Sequence, residues 1–400
     1  MAIDLATLPA AAPAREIPHT VSPSLWTLAW RRLRQDRVAM VSMAIVAAFL
    51  VLITLSATGL IAADWSREVG VNYAPPTFMG PDASSQHAQT EATAPAAEGE
   101  TLASHYHSTI VDPLAGVLAE IRARQGKPPA AAPGGAAASP DATVDPLADV
   151  MADIRAGKGG AVVSEARAAT LPFGGDKWGR DVLKKTIKGS ETSILVGILS
   201  AVLATFLGTL FGALAGYYGK GVDDFFNWFY SVFSSIPYLL LILAVAAVLK
   251  QKGLVTIVLI LGLTGWSGIF RLVRGEYLKH KAREYVQAAD AIGASNLRRM
   301  FVHIFPNISH VVLVQLSILT VAFIKSEVIL SFLGFGVPVD VVSWGSMLNE
   351  AQNELILGKW WQLVAATVAM ATLVTAFSLF TDALRDALDP KLKGGTGASA

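Results

Sequence analysis

Residues able to carry out chemistry are few in this 400-residue sequence. It contains no cysteine, which excludes disulfides, thiolate catalysis and cysteine-based metal sites. His105 and His107 have the spacing of a ligand pair, but they lie in a low-complexity stretch and we expect no metal there. We recognise no Ser/His/Asp set, paired carboxylates or His-x-x-x-His helix. The pattern therefore predicts neither an enzyme nor a resident cofactor.

A nucleotide-binding loop is also missing from the sequence. Gly-Lys pairs begin at Gly126, Gly157 and Gly219, but none has the glycine five residues earlier that a Walker A motif requires. If this chain works with ATP, another subunit must bind the nucleotide. The net charge of +1 gives no overall field that would favour nucleic acid as a partner.

Lys325 and Glu327 are the main charged residues inside an apolar segment. Two residues apart on a helix, they point to different sides and are not expected to neutralise each other. Two interpretations stay open. Either they line a transport pathway or contact a neighbouring subunit, or they lie near the outer interface and extend to the headgroups.

A polar, helix-patterned stretch at 284–307, EYVQAADAIGASNLRRMFVHIFPN, lies between two apolar segments. A helix in this place is expected to contact something outside the bilayer. Gly293 would allow a sharp turn after the helix, and Pro306 closes the stretch. Apolar surface for insertion into a partner's groove would come from Val286, Ala288, Ala289, Ala291 and Ile292. Arg298 and Arg299 would reach acidic groups of a partner or lipid headgroups, or simply hold the segment in the cytoplasm.

The elements that position these residues are six apolar segments. With 53% hydrophobic residues and a mean hydropathy of +0.48, the composition is typical of a multi-span membrane protein. We predict an all-α membrane protein with six transmembrane helices, at about 38–61, 192–217, 225–249, 254–270, 308–332 and 361–380. Pro237 and Gly265 interrupt the third and fourth spans and predict bends. Gly208, Gly212 and Gly216 would allow close helix packing, within this chain or with a second subunit.

Arginines at 31–37 precede the first span and predict a cytoplasmic N-terminus, with an amphipathic helix on the membrane lipid. Six spans then place both termini in the cytoplasm. A basic cluster at 177–188 conflicts locally with this orientation. The predicted regions are a leader (1–37), the first span (38–61), a long periplasmic loop (62–190), a five-helix core (191–384) that contains a cytoplasmic loop (276–307), and a cytoplasmic tail (385–400).

The long loop is rich in Ala, Pro, Gly and Ser, which is typical of a linker. It contains a repeat, because VDPLAGVLAEIRARQG at 111–126 recurs as VDPLADVMADIRAGKG at 144–159. Each copy predicts a short amphipathic helix that begins at Asp-Pro. These helices would pack on each other, on a partner or on the membrane, or they are a duplication without a dedicated role.

The 284–307 stretch resembles the Glu-Ala-Ala loop of binding-protein-dependent ABC importer permeases. That pattern is Glu-Ala-Ala, three residues, Gly, nine residues and Ile-x-Leu-Pro. Here it reads Gln287-Ala288-Ala289, Gly293 and then His-Ile-Phe before Pro306. The spacing matches, whereas glutamine, histidine and phenylalanine replace the family's glutamate, isoleucine and leucine.

Further motifs are similar to the second permease subunit of the dipeptide and oligopeptide importers. They are FGGDKWGRDVL at 173–183, GYYG at 216–219, SFLGFG at 331–336, SWG at 343–345 and DALRDALDP at 382–390. The resemblance covers about 24–61 and 171–392, but not the insertion between them.

This resemblance implies a peptide permease that works by alternating access. Its partners would be a homologous permease subunit, two cytoplasmic ATP-binding subunits and a periplasmic substrate-binding protein. The resemblance assigns contact with the ATPases to Glu284, Gln287, Ala288, Ala289, Gly293 and Pro306. The alternatives are the same architecture with another solute, such as nickel or a peptide-like antibiotic, and a secondary transporter that works without ATPases.

Overall fold

The computed structural model describes residues 25–82, 167–338 and 340–388. The leader up to residue 24, His105, His107, both repeats and the tail from 389 lie outside the described residues. Within the described ranges the regular elements are helices, together with four isolated β-bridges. The helices are α1 (Leu25–Gln35), α2 (Arg37–Ala57), α3 (Val182–Tyr218), α4 (Lys220–Ser234), α5 (Tyr238–Leu249), α6 (Leu254–Thr264), α7 (Ser267–Lys281), α8 (Glu284–Ala291), α9 (Asn296–Arg298), α10 (Phe305–Phe332), α11 (Trp344–Ile356) and α12 (Trp361–Leu388), with a 3-10 turn at Thr77–Met79 and a π-helical turn at Arg299–Ile304.

Four stretches are long and apolar enough to cross a membrane on their own: α2, α3, α12 and the continuous helix Asn296–Phe332. Two further spans are bent, with 84° between α4 and α5 and 42° between α6 and α7. Counting each bent pair as one span gives the predicted six, and the all-α membrane fold is confirmed. The bends lie at Pro237, which precedes α5, and at Gly265, which follows α6, as predicted.

Helix α3 is the centre of the packing and contacts α2, α6, α7, α10 and α12. Its glycine row faces α7. A Cβ added at Gly208, Gly212 or Gly216 would lie 2.6, 2.8 or 2.7 Å from a backbone oxygen of α7 or of the residue that precedes it. The three oxygens belong to residues 266, 270 and 274, so both helices contribute positions four apart. The row therefore serves packing within the chain, and not association with a second subunit.

The two described ends of the long loop form hydrogen bonds with each other. The linker-like composition did not predict these bonds. The Gly179 carbonyl accepts hydrogen bonds from the N–H groups of Val69 and Gly70 (3.1 and 2.9 Å), and the Tyr73 N–H donates to the Asp176 carbonyl at 3.0 Å. The 62–82 and 167–181 segments thereby form a small cap at the beginning of α3. Helix α3 also begins ten residues before the predicted 192, because Asp181 caps it by accepting from the N–H groups of Leu183 and Lys184.

The basic cluster at 177–188 that disagreed with the predicted orientation is compensated within the chain. Lys184 pairs with Asp64 at 2.7 Å and Lys188 with Glu191 at 2.7 Å. The Lys177 ammonium lies 3.9 Å from the centre of the Trp178 ring. The positive-inside rule counts Lys and Arg residues and not net charge, so these contacts do not remove the local conflict with the predicted orientation, although the rule gives little weight to long loops.

Candidate functional site

The 284–307 segment is held to the bundle by two inward-facing residues of α8. Val286 and Ala289 are each 4% exposed, and Val286 belongs to a buried apolar cluster with Tyr277, Met300 and Ile304. This corrects the expectation that Val286 and Ala289 form surface for a partner's groove. Their positions, three apart, place them on the face of α8 that packs against its own chain.

The opposite face of the segment is apolar and exposed. Ile292 is 84% exposed and Leu297 is 62% exposed. Ala288 and Ala291 are exposed beside them. Fully exposed large aliphatic side chains next to small ones are typical of a contact surface that lacks its partner.

A left-handed turn separates α8 from α9. Gly293 has φ +81°, and a Cβ there would meet nothing within 4 Å, so the backbone conformation alone favours glycine. The Gly293 N–H donates to the Asp290 carbonyl at 2.9 Å, and the Ala294 N–H donates to the Ala289 carbonyl at 3.0 Å. The Ser295 hydroxyl then caps α9 by accepting from the Arg298 N–H. The predicted sharp turn at Gly293 is therefore present.

A polar clasp fixes the segment to the end of α3. The Arg299 guanidinium forms an ion pair with Asp290 and donates to the Asn296 side-chain oxygen at 2.5 Å. The Tyr217 hydroxyl donates to the same oxygen at 3.0 Å, and the Lys281 ammonium donates to the Tyr217 carbonyl at 2.6 Å. The expectation that Arg299 reaches a partner is therefore wrong for this residue, because its charge is used inside the segment. Arg298 remains exposed.

The remaining residues assigned by resemblance lie at the edges of the segment. Glu284 is exposed in the first turn of α8, where a carboxylate interacts favourably with the helix dipole. Gln287 is exposed and donates to the Ala282 carbonyl at 3.4 Å. Pro306 lies in the first turn of α10, directly after the π-helical turn. A widened turn at that place accommodates the residue that lacks an N–H.

At the other end of α3 lies a second group of polar residues, which we call the lysine cluster and which consists of Asp176, Lys185, Glu350, Glu354 and Gln362. The Lys185 ammonium is 2% exposed and donates to Asp176 at 2.8 Å and to Glu350 at 2.5 Å. The Gln362 side chain accepts from Lys185 at 3.3 Å and donates to Glu350 at 3.2 Å. Lys185 thus joins the cap, α3, α11 and α12.

Glu354 of α11 is the least satisfied member of the lysine cluster. It is 1% exposed, and neither carboxylate oxygen makes a hydrogen bond of good geometry within the described part of the chain, although the backbone of Lys177 faces the carboxyl. Burial raises the pKa of Glu354 to about 7, and the Lys185 charge opposes this only in part. One cation faces three carboxyl groups in this cluster, so a proton on Glu354 lowers the uncompensated negative charge.

Sequence reasoning missed the lysine cluster because helix α11 was not predicted. The α11 helix has only 13 residues, and Glu350 lies 165 positions from Lys185. The sequence does contain signals for α11, namely the capping serine Ser343 and the inward-facing Met347 and Ala351.

Lys325 and Glu327 point to different sides, as predicted. Lys325 is exposed, whereas Glu327 is fully buried and accepts from the Ser331 hydroxyl at 2.7 Å. Ser193 and Ser343 also face the Glu327 carboxyl. Glu327 therefore packs inside its own chain, which corrects its assignment to a subunit contact. A pathway role stays a prediction for both residues, and a subunit contact stays a prediction for Lys325.

The fold and the site define a multi-span helical membrane protein that presents a firmly held polar segment at one end of its bundle. Residues 208–394 match the family described as binding-protein-dependent transport system inner membrane component. Residues 24–76 match the N-terminal TM domain of oligopeptide transport permease C.

Individual relatives match more than half of the chain. The dipeptide transport system permease protein DppC of Bacillus subtilis (strain 168) is 37% identical over 221 residues, which are 55% of this chain and 69% of the relative. The oligopeptide transport system permease protein OppC of Escherichia coli (strain K12) is 37% identical over 219 residues, 55% of this chain and 72% of the relative. The glutathione transport system permease protein GsiD of Pectobacterium atrosepticum is 34% identical over 231 residues, 58% and 76% of the two chains.

The chain belongs to the family of binding-protein-dependent inner membrane permeases, as the sequence motifs indicated. It is a multi-pass membrane transport subunit. The match to the second type of oligopeptide permease also agrees with the motif at 173–183 and with the leader before the first span.

Proposed function

We propose that this chain is the transmembrane subunit of an ATP-driven importer that carries di- or oligopeptides across the inner membrane. Membership of the permease family supports the transport role. The names of the relatives, which specify dipeptides, oligopeptides and glutathione, support peptides as the substrate class.

The single observation that carries the coupling role is the exposed apolar face of the 284–307 segment. Ile292 and Leu297 project from a segment that Val286 and Ala289 anchor inside the bundle. A cytoplasmic ATP-binding subunit with a complementary groove would cover this face by the helix-in-groove mode. Because the clasp joins the segment to Tyr217 of α3, a displacement of α8 would be passed to the central helix.

The proposed cycle is alternating access. Closure of two ATP-binding subunits would push the 284–307 segments of this chain and of a homologous permease. The bundle would then rock between inward- and outward-open states, with the bends at Pro237 and Gly265 as places where helices change angle. ATP hydrolysis would take place on the partners, so we assign no catalytic residue to this chain.

In the proposed orientation the 284–307 segment and both termini face the cytoplasm, and the lysine cluster faces the periplasmic substrate-binding protein. The arginines at the start of α2 lie at the cytoplasmic end under this orientation. Single cysteines at exposed Ala288 and exposed Ile356 would test it by labelling of intact cells with a membrane-impermeant maleimide. Labelling at Ile356→Cys alone is expected, and labelling at Ala288→Cys alone would reverse the orientation.

Uptake of labelled peptides by proteoliposomes tests the proposed substrate. The vesicles would contain this chain with its permease partner and ATP-binding subunits, and the binding protein would be added outside. We expect uptake of di- or oligopeptides that requires both ATP and the binding protein. Uptake of nickel without peptide uptake would replace the substrate class. Peptide uptake without ATP would indicate a secondary transporter.

A further inference from the structure

An open groove between α2 and α12 is not used by the proposed transport cycle. It has a volume of about 620 Å³ and is lined on α2 by Arg37, Val38, Val41, Ser42 and Ile45. Residues 371–379 of α12 form the other wall. Both helices are long and apolar enough to span a membrane, so the groove opens toward the hydrocarbon region.

The surface of the groove wall is mostly apolar, and besides Arg37 its polar lining residues are Ser42, Thr372 and Thr375. Ser42 is 2% exposed, and its hydroxyl donates to the Ala39 carbonyl of its own helix at 3.0 Å. It therefore offers no free donor to a ligand. Small residues of α12, Ala371 and Ala376, leave the space that larger side chains would fill. A chain of methylene groups suits such a wall, because the wall provides dispersion contacts and few polar groups.

The polar end of the groove carries one charge, the guanidinium of Arg37. Arg37 is exposed and forms no ion pair within the described part of the chain. The neighbouring Asp36 carboxylate is already used, since it accepts from the N–H groups of Val38 and Ala39 and caps α2. Arg37 is therefore available to an external anion, while the apolar wall continues from it along α2.

Neighbouring residues place this end of the groove at the level of lipid headgroups. Trp30 of α1 is 46% exposed, and the Arg34 guanidinium lies 5.5 Å from the centre of its ring. Tryptophan with arginine at a helix end is typical of the membrane–water interface. A guanidinium at this level binds phosphate well, because its fork of donors matches the phosphate oxygens.

We propose that the α2–α12 groove binds one anionic phospholipid of the surrounding membrane, with its phosphate on Arg37 and an acyl chain along the apolar wall. The charge at the mouth and the apolar wall are complementary to the two parts of such a lipid. This proposal does not depend on the transported solute or on the coupling role of the 284–307 segment.

Native mass spectrometry of the full-length subunit in detergent tests the site. The probes are phosphatidylglycerol and phosphatidylcholine with the same acyl chains. We expect one phosphatidylglycerol to be retained under conditions that remove phosphatidylcholine. Equal retention of the two lipids would overturn the charge-specific site.

Two groove variants and two control variants distinguish lipid binding in the groove from general attraction by surface charge. Arg37→Gln is expected to weaken phosphatidylglycerol retention about tenfold, as expected for the loss of one charge-assisted contact. Ala371→Phe fills the groove and should remove retention. The controls are Arg34→Gln on α1 and Val368→Phe on α12, which do not line the groove and should bind as the parent does. Unchanged binding in Arg37→Gln and Ala371→Phe, or equal losses in the controls, would overturn the site.

The same measurement on the assembled transporter identifies a competing occupant. The lipid is expected to remain bound in the complex. If the isolated subunit retains phosphatidylglycerol but the complex does not, a protein helix covers the groove and the proposal is wrong. Without added lipid, all variants should have the melting temperature of the parent. A lowered melting temperature of Arg37→Gln would mean that this substitution reduces lipid retention by destabilising the fold, and not by removing a contact with the lipid.

Discussion

The two ends of α3 carry polar residues that are used in opposite ways. The helix has 37 residues and is about 55 Å long at 1.5 Å per residue. At its beginning, the lysine cluster buries its charges and joins four parts of the same chain. At its end, the 284–307 segment keeps its charges near the surface and exposes Ile292 and Leu297.

This difference separates internal stabilisation from recognition. Burial of paired charges makes the lysine cluster sensitive to the loss of any member, because the partner charges then lack compensation. Exposed apolar residues contribute little to the stability of the free subunit. They contribute to the free energy of binding when a partner covers them. Substitutions at the two ends should therefore affect different measurements.

Removal of the lysine in the cluster is expected to have the largest effect. Lys185→Met leaves the buried Asp176 and the half-buried Glu350 without their cation, which should destabilise the subunit by about 3–5 kcal/mol. The measurement is the melting temperature and yield of the subunit in detergent. Lys184→Met is the matched control, because Lys184 and Asp64 are both solvent-exposed, and its cost should stay below about 1 kcal/mol. Similar losses in both variants would contradict the role given to burial.

Two adjacent alanines of α8 sharpen the distinction within the 284–307 segment. Ala289→Asp places a charge at a position that is only 4% exposed and should cost about 3–4 kcal/mol of subunit stability. Ala288→Asp lies on the exposed face, so the subunit should fold normally but bind its ATP-binding partner weakly. Thermal melting and co-purification separate the two effects. A stable Ala289→Asp subunit would show that α8 is not anchored through this residue.

The buried carboxyl of Glu354 predicts a pH dependence of stability. Its pKa is raised from 4.5 to about 7, so between these values the unfolded chain loses a proton that the folded chain keeps. The contribution of Glu354 to stability should therefore be fully present below pH 4.5, fall by about 3 kcal/mol up to about pH 7 and be lost above it. Glu354→Gln should remove this part of the slope in melting experiments. Parallel slopes for parent and variant would refute the prediction.

The turn at Gly293 should give the smallest effect. Gly293→Ala forces an L side chain to φ +81°, which costs about 1–2 kcal/mol locally, so peptide uptake should fall severalfold while assembly persists. Gly275→Ala is the control, because Gly275 lies inside α7 with free space around its Cα and alanine favours the helix. A variant at Gly293 with full uptake would show that the turn geometry is not needed for coupling.

Much of this fold could be predicted from local sequence. Six apolar segments, the bends at Pro237 and Gly265 and the turn at Gly293 follow from hydropathy and from the backbone preferences of proline and glycine. The direction of side chains on α8 was predicted less well. Its small apolar residues suit either face, and only the packing of Val286 with Tyr277 and Met300 determines which face of α8 points inward.

The lysine cluster and the clasp could not be predicted for a different reason. Each joins residues that are distant in the sequence, such as Lys185 with Glu350 or Tyr217 with Asn296. Their partners are chosen by tertiary packing, and the sequence marks them only as charged residues before a span or as polar residues after a turn. The basic cluster at 177–188 opposes the predicted orientation by its number of Lys and Arg residues, and the sequence did not show that Asp64, Asp176 and Glu191 pair with its lysines.

The most direct measurement of the central claim compares two isoleucines at opposite ends of the bundle. Ile292 and Ile356 are 84% and 83% exposed, so aspartate at either position should leave the free subunit folded. With Ile292→Asp we predict loss of both ATPase co-purification and ATP-driven peptide uptake, whereas Ile356→Asp should retain its ATPases. Normal ATPase capture and uptake by Ile292→Asp would contradict the account, because the exposed face of the 284–307 segment would then not be the coupling surface.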